Sequence, residues 1–399
     1  MAPEAGGELM ERVPTWIISA ARYLLNSIYK LFDTVCPRGN YVVFLSRQAS
    51  TPSYDFSAIG EALEKRGYQC VYLVKKLKTR NAIPYALFAL KSLYWLARCR
   101  ACILDRYNPL VSMIDFKCED RPTQEGAEGV RHLEFPCEPV VVQIWHAFGA
   151  FKKFGYQSIG TREGHSESIA REFDIHRNYS WILCTGEGAR KAYAEAFSYP
   201  LDRIVALGRP EYDKLLMLTE KKRVQDRGAG GAGKARIIIA PTLRKDCHSS
   251  HPLRRLYDSG ALSALDPIAD IHWSFHPLDD RKDAPGAVNE GLLAADYVVT
   301  DYSSIVYEAW ILNKKVLFYA EDIDEYIESP GLFSNPIEIC PSLVATNEGE
   351  LVEKVSRWIS GGDYPQNELD RFVSGMVDER LSNAAESIAL FVEEVSTIR

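Results

Sequence analysis

The chain has 399 residues, 46% hydrophobic and 25% charged, enough to bury two sizeable cores and too long for one typical domain. A net charge of −7 argues against a general nucleic-acid binder and makes local basic clusters informative. Apolar runs stay short of the ~18–20 residues of a membrane span, no signal-peptide pattern opens the chain, and the nine cysteines form no regular framework, so the expectation is a cytoplasmic protein with reduced thiols.

Residues 13–32 set Ile17, Ala21, Leu24, Ile28 and Leu31 on one helical stripe, with Trp16, Tyr23 and Tyr29 nearby and Arg22 and Lys30 as cations. Such a helix either lies on a membrane surface or packs on the protein's own first domain. Strand and helix patterns then alternate: strand 41–45, helix 56–66, strand 70–74, helix 86–97 and strand 101–104, which predicts a parallel sheet. Cys99 and Cys102 make a lone C-x-x-C with no second pair, a poor zinc site. Beyond a polar loop over 118–138 come strand 140–144, a helix near 166–173, strand 181–185 and helix 187–197, and the first domain ends near Gly208.

Residues 221–234 are charged and Gly-rich and read as a flexible connection. Their end imitates a P-loop, but Ala235 stands where Ser or Thr must hold magnesium, and the loop precedes a strand instead of following one. A second alternation follows, with strands 237–240, 271–275, 297–300 and 316–319, and an amphipathic helix over 381–395 closes it. The expected fold class is α/β, two Rossmann-like domains with parallel sheets facing across a cleft. Its divisions are a helical region 1–35, an acceptor-side domain 36–208 and a donor-binding domain 209–399.

Three predicted strand ends carry chemistry. His146 follows strand 140–144, His276 follows 271–275, and Asp301-Tyr302-Ser303-Ser304 joins strand 297–300 to a helix whose N-terminus offers unpaired N–H groups to an anion. Ligands of open α/β sheets bind outside the carboxyl ends of the strands, so the three turns are expected to share one crevice.

The block from Trp145-His146 to Gly149-Ala150-Phe151-Lys152-Lys153-Phe154-Gly155, the turn Pro241-Thr242-Leu243-Arg244, His276-Pro277 and Thr300-Asp301-Tyr302-Ser303-Ser304 together resemble the CDP-glycerol glycerophosphotransferases, the teichoic acid primases and polymerases of bacterial cell walls. The resemblance runs from about residue 40 to 331. Two departures stand out. The family's Gly-x-Pro-Arg-x-Asp reads Gly208-Arg209-Pro210-Glu211-Tyr212-Asp213 here, which puts any role of the displaced arginine in question, and its Thr-Phe-Arg or Thr-Trp-Arg reads Thr242-Leu243-Arg244.

The resemblance implies the GT-B architecture and transfer of glycerol phosphate from CDP-glycerol to a hydroxyl of a lipid-linked acceptor, with CMP leaving. His146 is then the expected general base and His276 the residue that steadies the leaving group. Thr242, Arg244, His276, Asp301, Ser303, Ser304 and Glu308 are expected to hold the donor, with Asp301 orienting the turn and Glu308 on the ribose. Gly149, Lys152 and Lys153 are expected at the acceptor, the lysines otherwise being solvated surface residues. His176 reads equally as an acceptor-cleft residue and as a structural cap, while His132, His248 and His251 read as surface residues of polar loops. No metal or cofactor is implied; Asp322-Ile323-Asp324 imitates a metal-binding D-x-D but reads as loop.

CDP-ribitol is the alternative donor, and a nucleotide-sugar 2-epimerase or a non-catalytic nucleotide-binding subunit the alternative class. The chain is little longer than the transferase module, which favours addition of one or few units. The expected place is peripheral, on the inner face of the cell membrane.

Overall fold

The computed structural model describes residues 14–397 apart from 48, 77–81, 119–136, 162, 227–232, 245–250 and 276–287. Helix α1 (Thr15–Val35) leads into β1 (Tyr41–Ser46), α2 (Tyr54–Lys65), β2 (Gln69–Val74), α3 (Ala82–Arg98) and β3 (Ala101–Leu104). Strands β4 (Val140–Gln143), β5 (Trp181–Cys184) and β6 (Ile204–Ala206) complete a parallel sheet in the order β2-β1-β3-β4-β5-β6. Its central strands are near-continuous apolar runs, Tyr-Val-Val-Phe-Leu in β1 and Ala-Cys-Ile-Leu in β3, because helices cover both faces and leave no polar side. Helix α2 starts where the Ser53 hydroxyl accepts the Phe56 N–H at 3.2 Å, and it lays Phe56, Ile59 and Leu63 on the sheet.

The second sheet is β7 (Ala235–Ala240), β8 (Ala269–Trp273), β9 (Tyr297–Thr300), β10 (Lys315–Tyr319) and β11 (Val344–Ala345), ordered β8-β7-β9-β10-β11 with every pairing parallel. Helix α4 (Ile305–Ile311) follows β9, and helix α5 (Ala384–Thr397) follows much later. Each sheet opens with the same winding: the second strand lies outside the first, and the third crosses to the first strand's other side. Each therefore has a topological switch point, between β1 and β3 in one half and between β7 and β9 in the other. The architecture is the expected two-domain α/β fold of GT-B type.

Several elements differ from expectation. Strand β8 begins and ends two residues early, so Ser274 and Phe275 lie beyond it. The short strands β6 and β11 carry too few residues for a periodicity to register. The supposed flexible connection is helical in its first part, since Pro210–Asp226 is one helix.

Two segments cross between the halves. Phe148 and Phe151, from the loop after β4, are buried in the core of the second sheet, Phe151 lying 5.1 Å from the Phe372 ring and 5.7 Å from that of Phe318. Conversely, α5 packs on α2, and Ala384, Ile388, Ala389 and Val392 are buried in the core of the first sheet.

Candidate active site

At the second switch point the turn after β7 meets the turn after β9. The Thr242 amide donates to Asp301 Oδ1 at 2.8 Å, and Arg244 Nη2 reaches Asp301 Oδ2 at 3.1 Å. His251 joins them from the N-cap position of the next helix: its Nε2–H donates to the Thr242 carbonyl at 2.8 Å and lies 3.6 Å from Asp301 Oδ2. Burial alone would raise the Asp301 pKa, but His251, Arg244 and the Thr242 N–H outweigh it and hold the carboxyl below its ordinary value. Asp301 is thus a buried anion that fixes the turn.

The other donor-side residues gather around this anion. Arg244, expected to fork onto phosphate, is instead engaged by two carboxylates, Asp301 and Asp322, and sits over the Tyr326 ring at 5.0 Å. Asp322, read from sequence as loop, precedes helix Ile323–Glu328 and also accepts the Tyr302 hydroxyl at 3.0 Å. The Ser303 hydroxyl accepts the Ile305 N–H at 3.4 Å and so caps α4, while the Ser304 side chain makes no capping bond. His276, with Pro277, lies outside the described residues, as do His132 and His248.

In the first half, Trp145 follows β4 with φ of 55°, a left-handed conformation unusual for a bulky residue. Its amide donates to Gln143 Oε1 at 2.9 Å and its ring stacks on Phe154 at 5.0 Å, and these contacts hold the turn that presents His146. The partly buried His146 donates Nδ1–H to the Asp105 carbonyl at 3.2 Å, which leaves the lone pair on Nε2. Burial and the neighbouring Arg106 push its pKa well below the ordinary histidine value, with Arg209 adding to the effect.

Gly149 has φ of 56°, and a Cβ there would lie 2.4 Å from the Tyr307 ring of α4, so only glycine lets this loop run against the other half. Beyond it, residues 151–153 pair across the halves with 331–334: the Lys153 N–H donates to the Gly331 carbonyl at 3.0 Å, and the Phe333 N–H to the Phe151 carbonyl at 2.9 Å. This pairing sets the partly buried Lys152 beside the donor-side turn. Burial lowers its pKa, partly offset by Asp301 and Glu163. Lys153 points to solvent.

His176 is separate from this group. It has φ of 62° and is buried among Tyr107, Trp145, Tyr179 and Phe197, with Nδ1 3.1 Å from the Tyr179 hydroxyl. Burial drives its pKa down to about 3, so it is a neutral packing residue beneath the His146 turn.

Two residues at the site were not assigned to it from the sequence. Arg209 spends Nε on Asp55 Oδ2 at 2.7 Å and Nη2 on Glu211 Oε2 at 2.5 Å, and lies over the Phe148 ring at 4.8 Å. It is close enough to influence both His146 from the first half and Glu308 from the second. Burial raises the Glu308 pKa to about 7 although Arg209 opposes it. His251, read as a surface residue, is 3% exposed. Its signal was present: His251-Pro252 repeats the His276-Pro277 pair of the motif.

The family model described as CDP-glycerol:poly(glycerophosphate) glycerophosphotransferase matches residues 28–394. A teichoic acid ribitol-phosphate primase of Bacillus spizizenii is 24% identical over 96% of this chain and 98% of its own length. The glycerol-phosphate primase of Bacillus subtilis is also 24% identical, over 89% and 97%. A poly(ribitol-phosphate) polymerase of Bacillus spizizenii is 24% identical over 92% of the chain, which spans only 58% of that relative. Among solved structures, a variant of the wall teichoic acid polymerase TagF soaked with CDPG superposes with a TM-score of 0.65 at 17% identity, covering 96% of this chain and 98% of that one. The UDP-GlcNAc 2-epimerase of Neisseria meningitidis reaches 0.51 at 13% identity, covering 89% and 99%. At such identities the solved structures speak for the fold.

Proposed function

Because the chain belongs to the CDP-glycerol:poly(glycerophosphate) glycerophosphotransferase family, we propose that it transfers glycerol phosphate from CDP-glycerol to a hydroxyl of a lipid-linked acceptor of teichoic acid type. The observation that carries this reading is the pair of facing switch points, one presenting His146 with a lone pair on Nε2, the other a turn fixed on Asp301. The acceptor hydroxyl oxygen attacks the β-phosphorus, its proton passes to His146 Nε2, and the bond to the CMP oxygen breaks. The chemistry asks for positioning and charge neutralisation more than for covalent help. Lys152 and the Ser303–Ser304 turn hold the diphosphate, His276 steadies the leaving CMP, and Glu308 meets the ribose from one turn inside α4. Arg244 acts through Asp301 and Asp322, which it ties together.

A ribitol donor has support among the relatives too, since one ribitol-phosphate primase and one glycerol-phosphate primase are each 24% identical to this chain. Mass spectrometry of products made from CDP-glycerol and from CDP-ribitol, with a disaccharide-diphosphate lipid analogue as acceptor, decides between them and counts the units added. A chain that leaves both donors intact but interconverts UDP-N-acetylhexosamines is an epimerase, and the proposal fails.

The protein attaches peripherally to the inner membrane face through an apolar surface broader than the single stripe read from sequence. Helix α1 exposes Trp16, Tyr23, Leu24, Leu31 and Val35, with Tyr23 78% exposed, and α3, packed beside it, exposes Ile83, Leu87 and Leu90, with Ile83 75% exposed. Among the described residues no helix is long and apolar enough to cross a membrane.

A further inference from the structure

We infer that Arg47 and Arg106 form a subsite for a phosphate carried by the acceptor, beside the histidine that receives the acceptor's proton; the inference rests on the transfer reaction proposed above. Parallel register pairs Leu45 of β1 with Leu104 of β3, and Leu104 of β3 with Gln143 of β4. Three neighbouring strands therefore end level, and the residues after them, Arg47, Arg106 and His146, leave the sheet side by side at the first switch point. The row is tied together, since Ser46 Oγ donates to Asp105 Oδ2 at 3.1 Å, His146 binds the Asp105 carbonyl, and Gln143 Nε2 donates to the Arg106 carbonyl at 3.2 Å.

Arg47 is spent differently from other arginines of this half. Arg38 gives its N–H groups to Asp33 and to backbone carbonyls, and Arg209 to Asp55 and Glu211. Arg47 instead stands 5.4 Å over the Tyr85 ring, and its buried Nε–H has no hydrogen-bond partner among the described residues. Arg106 lies close enough to His146 and Asp105 to perturb both. Two guanidinium groups thus flank the Asp105 carboxylate beside His146. A phosphate oxygen pair matches that chemistry, because guanidinium forks bind phosphate bidentately.

The direction of approach agrees. Tyr85, which carries Arg47, belongs to α3, and the exposed Ile83, Leu87 and Leu90 lie on the same helix. An amphiphile with its lipid on that face, its phosphate at Arg47 and Arg106 and its hydroxyl at His146 meets apolar, cationic and basic groups in that order.

The test compares wild type with Arg47→Gln and Arg106→Gln, using CDP-glycerol and three short-chain acceptors: a lipid-linked disaccharide diphosphate, the same disaccharide as a phosphate-free alkyl glycoside, and that glycoside bearing one outer glycerol phosphate. Loss of a charge-assisted hydrogen bond predicts that the preference for a phosphate-bearing over the phosphate-free acceptor, as a ratio of kcat/KM, falls at least about tenfold, mostly through KM. Arg47→Lys should retain part of it, and calorimetry should find CDP-glycerol affinity retained in each variant. The first and third acceptors separate the two sources of phosphate, the lipid diphosphate and the polyol phosphate, and collapse of either preference supports the subsite. Unchanged preference for both overturns it while leaving the transfer reaction standing. Wild type inert towards all three acceptors overturns the reaction and the subsite together.

Discussion

The pKa values of His146 and Glu308 are displaced in opposite directions. The histidine is pushed well below its ordinary value by burial and Arg106, and the glutamate is lifted to about 7 by burial. A base that stays neutral far below pH 6.5 keeps working there, so the acidic limb of the kcat/KM profile due to His146 should lie clearly below that of a free imidazole. His146→Ala should lower transfer by ~10²–10⁴, with CDP-glycerol affinity preserved; a limb that survives the substitution belongs to another base. For Glu308 the sign follows from its facing groups, Arg209 and Glu211. A carboxyl raised in the folded state favours folding in its protonated form. That contribution is complete below the unfolded value near 4.5 and disappears as pH rises through about 7. Glu308→Gln should therefore flatten the decline of stability across that window, read by urea melts at a series of pH values. At this scale the sequence revealed what lies beside an apolar run, such as His146, Asp301 and Glu308. Arg209 and His251 were opaque because burial defines them: Arg209 is held by Asp55, 154 positions earlier, and His251 sits in a polar stretch that folds inward.

Helix α1 packs on the first domain by one face and leaves the other exposed. Ile18, Asn26 and Tyr29 are buried, Asn26 Nδ2 donates to the Met113 carbonyl at 2.9 Å, and Arg22 pairs with Asp174 at 2.8 Å, so one face belongs to the first domain. The opposite face, with Trp16, Tyr23 and Leu24, is unpartnered among the described residues. Excising the helix would expose its own footprint, so point variants are needed to separate the roles. Trp16→Ser with Tyr23→Ser should release the protein from anionic liposomes in flotation while leaving the thermal midpoint near that of wild type. Tyr29→Ala should instead cost ~3–5 kcal/mol as an aromatic-to-alanine change in a packed core. Equal melting losses for the two would mean that the outer face is structural. Of the α1 stripe read from periodicity, Ile17, Leu24 and Leu31 are exposed while Ala21 and Ile28 pack inward, and α3 is apolar on too many sides for its pattern to say which residues face outward.

Both halves were legible as alternating strands and helices, which implied parallel sheets but not their strand order. What the alternation concealed is that each half borrows from the other. Helix α5 comes after the second sheet but lies on α2, with Arg66 at the C-cap of α2 bound to Glu393 at 2.7 Å, and its buried alanines and aliphatic residues complete the first core. A chain shortened at residue 383 should therefore lose stability chiefly in its N-terminal half. Hydrogen exchange in α2 and β1 should rise further than in β9 and β10. Uniform exchange would mean that α5 supports both halves alike.

Phe148 and Phe151 make the reverse loan, from the first half into the second core, at the end of the loop that carries His146. The order of synthesis gives this exchange a consequence. The first sheet is made early, but it lacks its cover until residues 384–397 are available, and its aromatic loop has no socket until the second sheet exists. Neither half can mature on the ribosome ahead of the other, so the nascent N-terminal half is expected to be a chaperone client. Two separately produced halves should recover structure only when mixed.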